Sequence, residues 1–509
     1  MRCRHLKSAL QRRPKQNVAR LSTRLVLASV ATGFLALSAG AAPQQTFGRL
    51  FPDLPPYNAP DDATLDLLTA ETASDAPGPM LDSGNASDNN PDDVPAFFTY
   101  FGQFLDHDMT LDSLPLPVDF VDPTTIPNDR DQRLNLDSVY GTRKNPNPAL
   151  YEADGKHLKV NGGDLPRTAQ GIAIIGDPRN DENQIIAQIH VAYLRAHNKL
   201  IDEGLSFADA RQLMEWRHQW IVVHEFLPEV LDPDVYNDVF RANKNQDHIV
   251  QIHNRYYDPG SAATADMPVE FSVGAYRFGH SQVRAAYRIV QNPPPPAPSA
   301  PFIQVFKLNP TAPDDLHGGR PITSDHIIFW PNFINVDGVP ATGGMSPTGK
   351  PRPINISRKI DTLLSNSLFH LPIPGAEADG TAILAKRNIQ RAREYGLPSG
   401  QAVAQRLGLT PLTNKQIADA IGGMALAGLS DDVKGPYKGE APLWLYILAE
   451  SKMRHEGAKL GPVGSRIVAE VIGGLLTADS TSYIRRGYVP KDGSYRVQDL
   501  LRDAGVLPQ

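Results

Sequence analysis

Ala96-Phe97-Phe98-Thr99-Tyr100-Phe101-Gly102-Gln103-Phe104-Leu105-Asp106-His107-Asp108-Met109-Thr110-Leu111-Asp112 carries aromatic side chains at 97, 98, 100, 101 and 104. A run this apolar is too hydrophobic for a surface helix, and its spacing predicts a buried one over 96–112. Into it the sequence sets Gln103, Asp106, His107 and Asp108. Polar groups on a buried helix are costly unless each has a partner, so a cluster of them marks a candidate site. Helical geometry puts Gln103 and His107 on one face, with Asp106 and Asp108 about 100° to either side. One segment can therefore offer a base to a cavity and carboxylates to two different neighbours. A core histidine with ordinary structural hydrogen bonds is the alternative reading of His107.

Outward from this segment, helical patterns recur. Ile185, Ile186, Ile189, Tyr193 and Leu200 share a face over 183–203, and 206–226 opens with Ser206-x-x-Asp209, the shape of a capping box. Further helices are expected over 415–428, 442–453 and 463–477. Strand-like alternation is short and scattered, clearest over 302–308, so the fold class is mainly α with few short strands. The run 292–301 (NPPPPAPSAP) reads as a polyproline-type loop. Residues 42–95, acidic and rich in Pro, Gly, Asn and Asp, read as an extended arm. One large helical domain is expected over 96–509.

The chain has 509 residues, 41% of them hydrophobic and 21% charged, which is globular composition. Its single cysteine, Cys3, excludes a disulfide scaffold, a Cys-rich zinc site and an Fe–S cluster. Residues 1–41 hold eight of the 50 Lys and Arg and no acid, leaving 42 bases against 56 acids, a net −14, in the remainder. Neither a basic patch nor an acidic tail dominates that remainder, so nucleic acid is not an expected partner. The basic stretch runs into the apolar segment 25–37 and then Ser38-Ala39-Gly40-Ala41-Ala42, the pattern of a secretory signal peptide with cleavage after Ala41. A secreted or periplasmic protein without a stable membrane span is the expectation, an uncleaved signal anchor its alternative.

Three further fragments bear on His107. They are Gly176-Asp177-Pro178-Arg179-Asn180-Asp181-Glu182, Tyr276-Arg277-Phe278-Gly279-His280, and Asn388-Ile389-Gln390-Arg391-Ala392-Arg393-Glu394-Tyr395-Gly396-Leu397-Pro398. With 102–108, and in this order, they resemble the animal-type haem peroxidase superfamily, in the manner of its bacterial members and of peroxinectins. The resemblance runs from about Phe47 to the C-terminus and takes in 135–141, 194–198 and 460–464.

The resemblance implies haem b as cofactor and assigns roles. His107 matches the distal histidine, which takes a proton from one oxygen of H2O2 and returns it to the other. Arg179 matches the distal arginine that stabilises negative charge as the O–O bond breaks, and Gln103 the glutamine that holds pocket water or an anion. The implied product is a ferryl haem. His280 matches the proximal iron ligand, Asn388 its second-shell partner, and Arg391 the cation paired with a haem propionate. Asp106 and Glu182 match two carboxylates that become ester-linked to haem in mammalian members; plain ion pairing is the other reading. Asn183 stands where myeloperoxidase has the methionine of a third link, so that link is expected to be absent. Asp108 matches a calcium ligand completed by a loop, here 131–137, with Asp131, Asn135 and Asp137 as side-chain ligands and Arg133 offering only its carbonyl.

Other signals are set aside. Gly344 to Lys350 has Walker spacing, but Pro351 replaces the magnesium-binding hydroxyl and no strand precedes it. His190, His197, His218 and His224 read as satisfied core histidines. The expected function is an exported peroxidase that reduces H2O2 and oxidises phenols, halides or thiocyanate. Two alternatives remain: a fatty-acid dioxygenase of the cyclooxygenase branch, and an adhesion protein with vestigial catalysis. The dioxygenase branch uses a tyrosine three residues before the proximal histidine. Here Arg277 holds that position, with Tyr276 one further away and rotated by about 100° on a helix.

Overall fold

Helix dominates because the apolar residues recur at helical spacing and each segment has a defined start. In the computed structural model, residues 45–57, 62–70, 79–82, 89–113, 119–142, 147–243, 248–291, 300–307, 314–337, 354–373, 382–422 and 440–507 are described. The signal peptide expected over 1–41, the Walker-like segment and nearly all of the polyproline run lie outside them.

The aromatic segment forms the helix Ala96–Met109, and Phe97, Phe101, Phe104 and Leu105 are fully buried. It packs against the helix Gln184–Asp202, where the Phe104 ring stacks on Tyr193 at 4.7 Å and 9°. Asn183 starts that second helix by accepting hydrogen bonds from the Ile185 and Ile186 amides at 3.1 and 3.0 Å. Ser206 caps Phe207–Ile221 by accepting from the Asp209 amide at 3.2 Å. The chain then continues through a π turn, Val222–Phe226, into Leu227–Val230. The later helices Leu443–His455 and Pro462–Ala478 lie close to expectation, and Leu384–Glu394 is a helix that the sequence reading did not include. Asn414–Ala420 ends at its C-cap Ile421, shorter than the helix expected over 415–428, of which 423–428 lie outside the described residues.

Strand is confined, among the described residues, to four two-stranded pairs. The alternation read over 302–308 reduces to Ile303–Gln304, paired antiparallel with Ala286–Tyr287.

The expected extended arm over 42–95 is corrected. It contains the strand Phe47–Gly48, paired parallel with Met267–Pro268, and the helix Asp62–Thr69. Phe47, Leu50, Phe51, Leu65, Leu68, Met80 and Val94 all enter the core. The Leu50 and Phe51 amides donate to the buried Glu270 carboxylate at 2.9 and 3.2 Å, and Arg49 donates to the Gly396 and Tyr395 carbonyls at 2.7 and 2.9 Å. Composition misleads here because the contacts that tie the segment to the core are with residues far along the chain.

Candidate active site

A cavity of about 570 Å³ lies beside the Ala96–Met109 helix, within the size range of cofactor sites. Gln103, Asp106, His107, Arg179, Glu182, His280 and Arg391 all line it. Seven of the eight residues assigned to catalysis or haem thus meet around one space. The eighth, Asn388, is fully buried directly behind His280.

Two elements build the side carrying His107. The helix supplies the imidazole, which is 4% exposed, with Nδ1 2.9 Å from Asn180 Oδ1. Burial, helped by the Arg179 charge, pushes the histidine down to about 3, so the ring is neutral near pH 7. The short 3-10 turn Pro178–Asp181 supplies Arg179. Burial disfavours the Arg179 charge, but the Asp177 carboxylate outweighs it and holds the guanidinium protonated. Asp177 accepts from Arg179 Nε at 3.1 Å and Nη2 at 2.8 Å, and from Arg130 Nε at 3.0 Å and Nη2 at 2.5 Å. Arg179 Nη2 also donates to the Thr110 carbonyl, while Nη1 lies 3.8 Å from Asp106. A buried Arg–Asp–Arg array therefore fixes the guanidinium at the cavity wall.

Gln103 is clamped at both ends of its amide. Its Nε2 donates to Glu182 Oε2 at 3.1 Å, and its Oε1 accepts from Asn183 Nδ2 at 3.2 Å. Asn183 thus serves as helix cap and as the anchor of Gln103. Glu182 lines the cavity, and desolvation by the surrounding protein, against the pull of the Arg179 charge, pushes its carboxyl up to about 7. Burial also raises Asp106, whose Oδ1 accepts from the Thr110 hydroxyl at 3.1 Å.

On the opposite chain segment, His280 sits in the single helical turn Gly279–Gln282. Its Nδ1 lies 2.8 Å from Asn388 Nδ2, and Asn388 Oδ1 accepts from Arg277 Nη1 at 2.8 Å. Arg277 is thus a site residue that its place in the sequence marked only as a replacement for tyrosine. Burial and the neighbouring Arg391 charge bring this guanidinium down to about 9. The helical rotation expected to turn Tyr276 away is corrected. A π turn, Glu270–Gly274, runs into a 3-10 turn, Ala275–Phe278, and both Tyr276 and Arg277 line the cavity. Phe47 and Tyr395 line it too, the latter donating its hydroxyl to Asp112.

Asp108 points elsewhere, accepting from the Leu136 and Ser138 amides at 2.9 and 3.3 Å. Asp137 Oδ2 accepts from the Asp131 amide at 3.1 Å. Asn135 Oδ1, Asp137 Oδ1 and Ser138 Oγ are buried without a hydrogen-bond partner. Arg133 Nε lies 3.3 Å from Asp131, and Arg211 Nη2 3.6 Å from Asp137. Among the described residues no three His, Cys, Asp or Glu side chains converge as a metal set. Of the four histidines set aside, His190, His197 and His218 are buried and His224 is half-buried; His197, His218 and His224 are bonded to Tyr140, Tyr193 and Tyr483, and His190 to Asn180.

The family model described as animal haem peroxidase matches residues 115–480. Thyroid peroxidase of Canis lupus familiaris is 26% identical over 321 residues, covering 60% of this chain and 29% of the relative. Peroxinectin A of Dictyostelium discoideum is 26% identical over 248 residues, covering 47% and 38%. The chain thus matches well under half the length of either relative. Among solved structures, peroxidase A from Dictyostelium discoideum superimposes with a TM-score of 0.60 at 17% identity over 92% of this chain and 94% of that one. A fatty acid alpha-dioxygenase of Oryza sativa gives 0.55 at 15% identity over 92% and 80%. At such identities the likeness is one of fold.

Proposed function

The chain belongs to the animal haem peroxidase family, and from that premise we propose that it binds haem b in the cavity between His107 and His280 and reduces hydrogen peroxide while oxidising small donors such as phenols, halides or thiocyanate. The observation that carries this reading is the convergence of a neutral buried histidine, a fixed arginine and a second, amide-bonded histidine on one cavity. Haem, when bound, supplies the redox centre at which peroxide is reduced and donors are oxidised. His280 would ligate the iron through Nε2, which requires its proton on Nδ1 and therefore the Asn388 amide turned over to present Oδ1 to it, and Arg391 would pair with a propionate.

The chain's own part is proton transfer and charge stabilisation. His107 Nε2 accepts the proton of one peroxide oxygen and returns it to the departing oxygen. Arg179, held by Asp177, stabilises the negative charge that develops there. Gln103 holds water or an anion beside them. Asp106 and Glu182 line the cavity with carboxyl oxygens available for ester links to haem. Acid–butanone extraction tests this: haem that stays with the denatured protein supports the links, and complete extraction refutes them.

Calcium at Asp108, Asp131, Asn135 and Asp137, with the Arg133 carbonyl, belongs to the same proposal. The orphaned buried oxygens of Asn135, Asp137 and Ser138 fit a hard cation, although Arg133 and Arg211 already offset part of the acidic charge. Export as a secreted or periplasmic protein rests on the 1–41 segment; no helix of the described residues is long and apolar enough to cross a membrane.

A second reading has an observation of its own. Tyr276, one residue before the position that the dioxygenase branch uses, lines the cavity with a buried hydroxyl that has no hydrogen-bond partner and could serve as a tyrosyl oxidant. Stopped-flow spectra with H2O2, followed by steady-state oxidation of guaiacol, iodide and thiocyanate, test the first reading. Oxygen uptake with linoleate and no peroxide response would replace it by the second.

A further inference from the structure

Asn180 is fully buried and lies outside the cavity lining, yet it touches the base. Its Oδ1 is 2.9 Å from His107 Nδ1, and its Nδ2 is 3.0 Å from Nδ1 of His190, which is also fully buried. His190 stands on the Gln184–Asp202 helix with its ring edge-on to Phe104 at 6.1 Å and 78°. The bridge therefore ties the turn bearing Arg179 to the two helices packed beneath the cavity.

The amide has one accepting and one donating end, and each neutral imidazole carries a single N–H. Both contacts can be hydrogen bonds only in matched pairs. With Oδ1 toward His107, that ring must be protonated at Nδ1, which leaves the Nε2 lone pair for the cavity. His190 then accepts at Nδ1. With the amide turned over, His107 would present Nε2–H and no base would face peroxide. Arg179 and Asn180 are adjacent, and Asp177 seats both, accepting from the Arg179 amide with its carboxylate and from the Asn180 amide with its carbonyl.

We propose that Asn180, anchored on His190, is a positioning residue that holds His107 in the tautomer able to accept the peroxide proton. The inference rests on the haem peroxidase reading for its consequence, but the tautomer itself can be read without haem. In 15N-histidine-labelled protein, His107 should show a protonated Nδ1 and an unprotonated Nε2 by long-range 1H–15N correlation. The reverse pattern overturns the proposal whatever the protein binds.

In the haem-loaded protein, Asn180→Val should keep the haem absorption and slow the second-order reaction with H2O2 on the order of 10²-fold, the lower range of general acid–base catalysis. Cyanide association should fall in parallel, because HCN must also give up a proton, while guaiacol oxidation at saturating peroxide stays near the wild-type rate. Asn180→Asp keeps an acceptor for His107 Nδ1–H and should restore both association rates to within several-fold of wild type. His190→Leu should give an intermediate loss. Wild-type cyanide and peroxide rates in Asn180→Val overturn the proposal, as does an Asn180→Asp variant slowed as much as the valine. Should the valine variant fail to fold, His190→Leu against Asn180→Asp supplies the same contrast, and equal rates in these two overturn it.

Discussion

Asp177 shows how much of the chemistry rests on a residue that never meets the substrate. It is fully buried between Arg130 and Arg179, and the two guanidinium groups hold its carboxyl below the usual range against the cost of burial. Asp177→Asn removes the charge both arginines need, and uncompensating a buried pair costs about 3–5 kcal/mol. A lowered Tm together with a slower peroxide reaction is the expected outcome; a variant with wild-type values of both would contradict the assigned array. His107→Ala, by contrast, should leave haem bound and slow the peroxide reaction by about 10²–10⁴-fold in stopped flow. The motifs marked His107, Arg179, His280 and Asn388 because their chemistry is local and unusual. Asn180, Arg277 and Asn183 were not legible as functional, since their partners lie 73, 111 and 80 residues away and each is an ordinary polar residue until the chain brings them together.

Between the elements, one close approach joins the proposed calcium loop to the turn that carries Arg179. A Cβ on Gly176 would stand 2.6 Å from the Ser138 carbonyl oxygen and 2.7 Å from that of Asp137. Backbone cannot yield as a side chain can, so Gly176→Ala should lower Tm and disturb Arg179 and Asp137 together. The loop predicts a pH dependence as well. Burial, with repulsion from Asp108 and Asp131, pushes Asp137 up to about 8, and burial pushes Asp108 up to about 7. Acids raised on folding bind more protons in the folded state, so without a cation stability falls as pH climbs from the ordinary carboxylate value of 3.8 through 8. Calcium needs the charged forms and offsets this loss. Chelation should therefore lower Tm more at pH 8 than at pH 5.5, and an equal or absent effect at both would remove the calcium assignment. Helices were legible here because period and caps are local, as Ser206 and Asn183 illustrate. The burial of Phe47, Leu50 and Phe51 was not, because they follow no period and their backbone partners, Ile126, Met267 and Glu270, lie far along the chain.

For the molecule as a whole, the single cysteine at position 3 means that no disulfide staples the described fold. Its stability rests on one continuous helical core and on whatever the cavity holds. A ligand that binds only the folded state stabilises by about 4 kcal/mol at a thousand times its Kd, so removing haem should lower Tm and loosen the residues that line the cavity from both chain segments. On the proposed reading His280 holds haem iron in a cavity governed by His107. The absorption spectrum of the purified, haem-reconstituted chain, recorded before and after one equivalent of H2O2, tests it most directly. A Soret band that shifts with peroxide in the wild type, persists but responds slowly in His107→Ala, and is altered before any peroxide in His280→Ala is the predicted result. A wild-type chain that takes up no haem, or whose spectrum is indifferent to His280→Ala, would contradict the account.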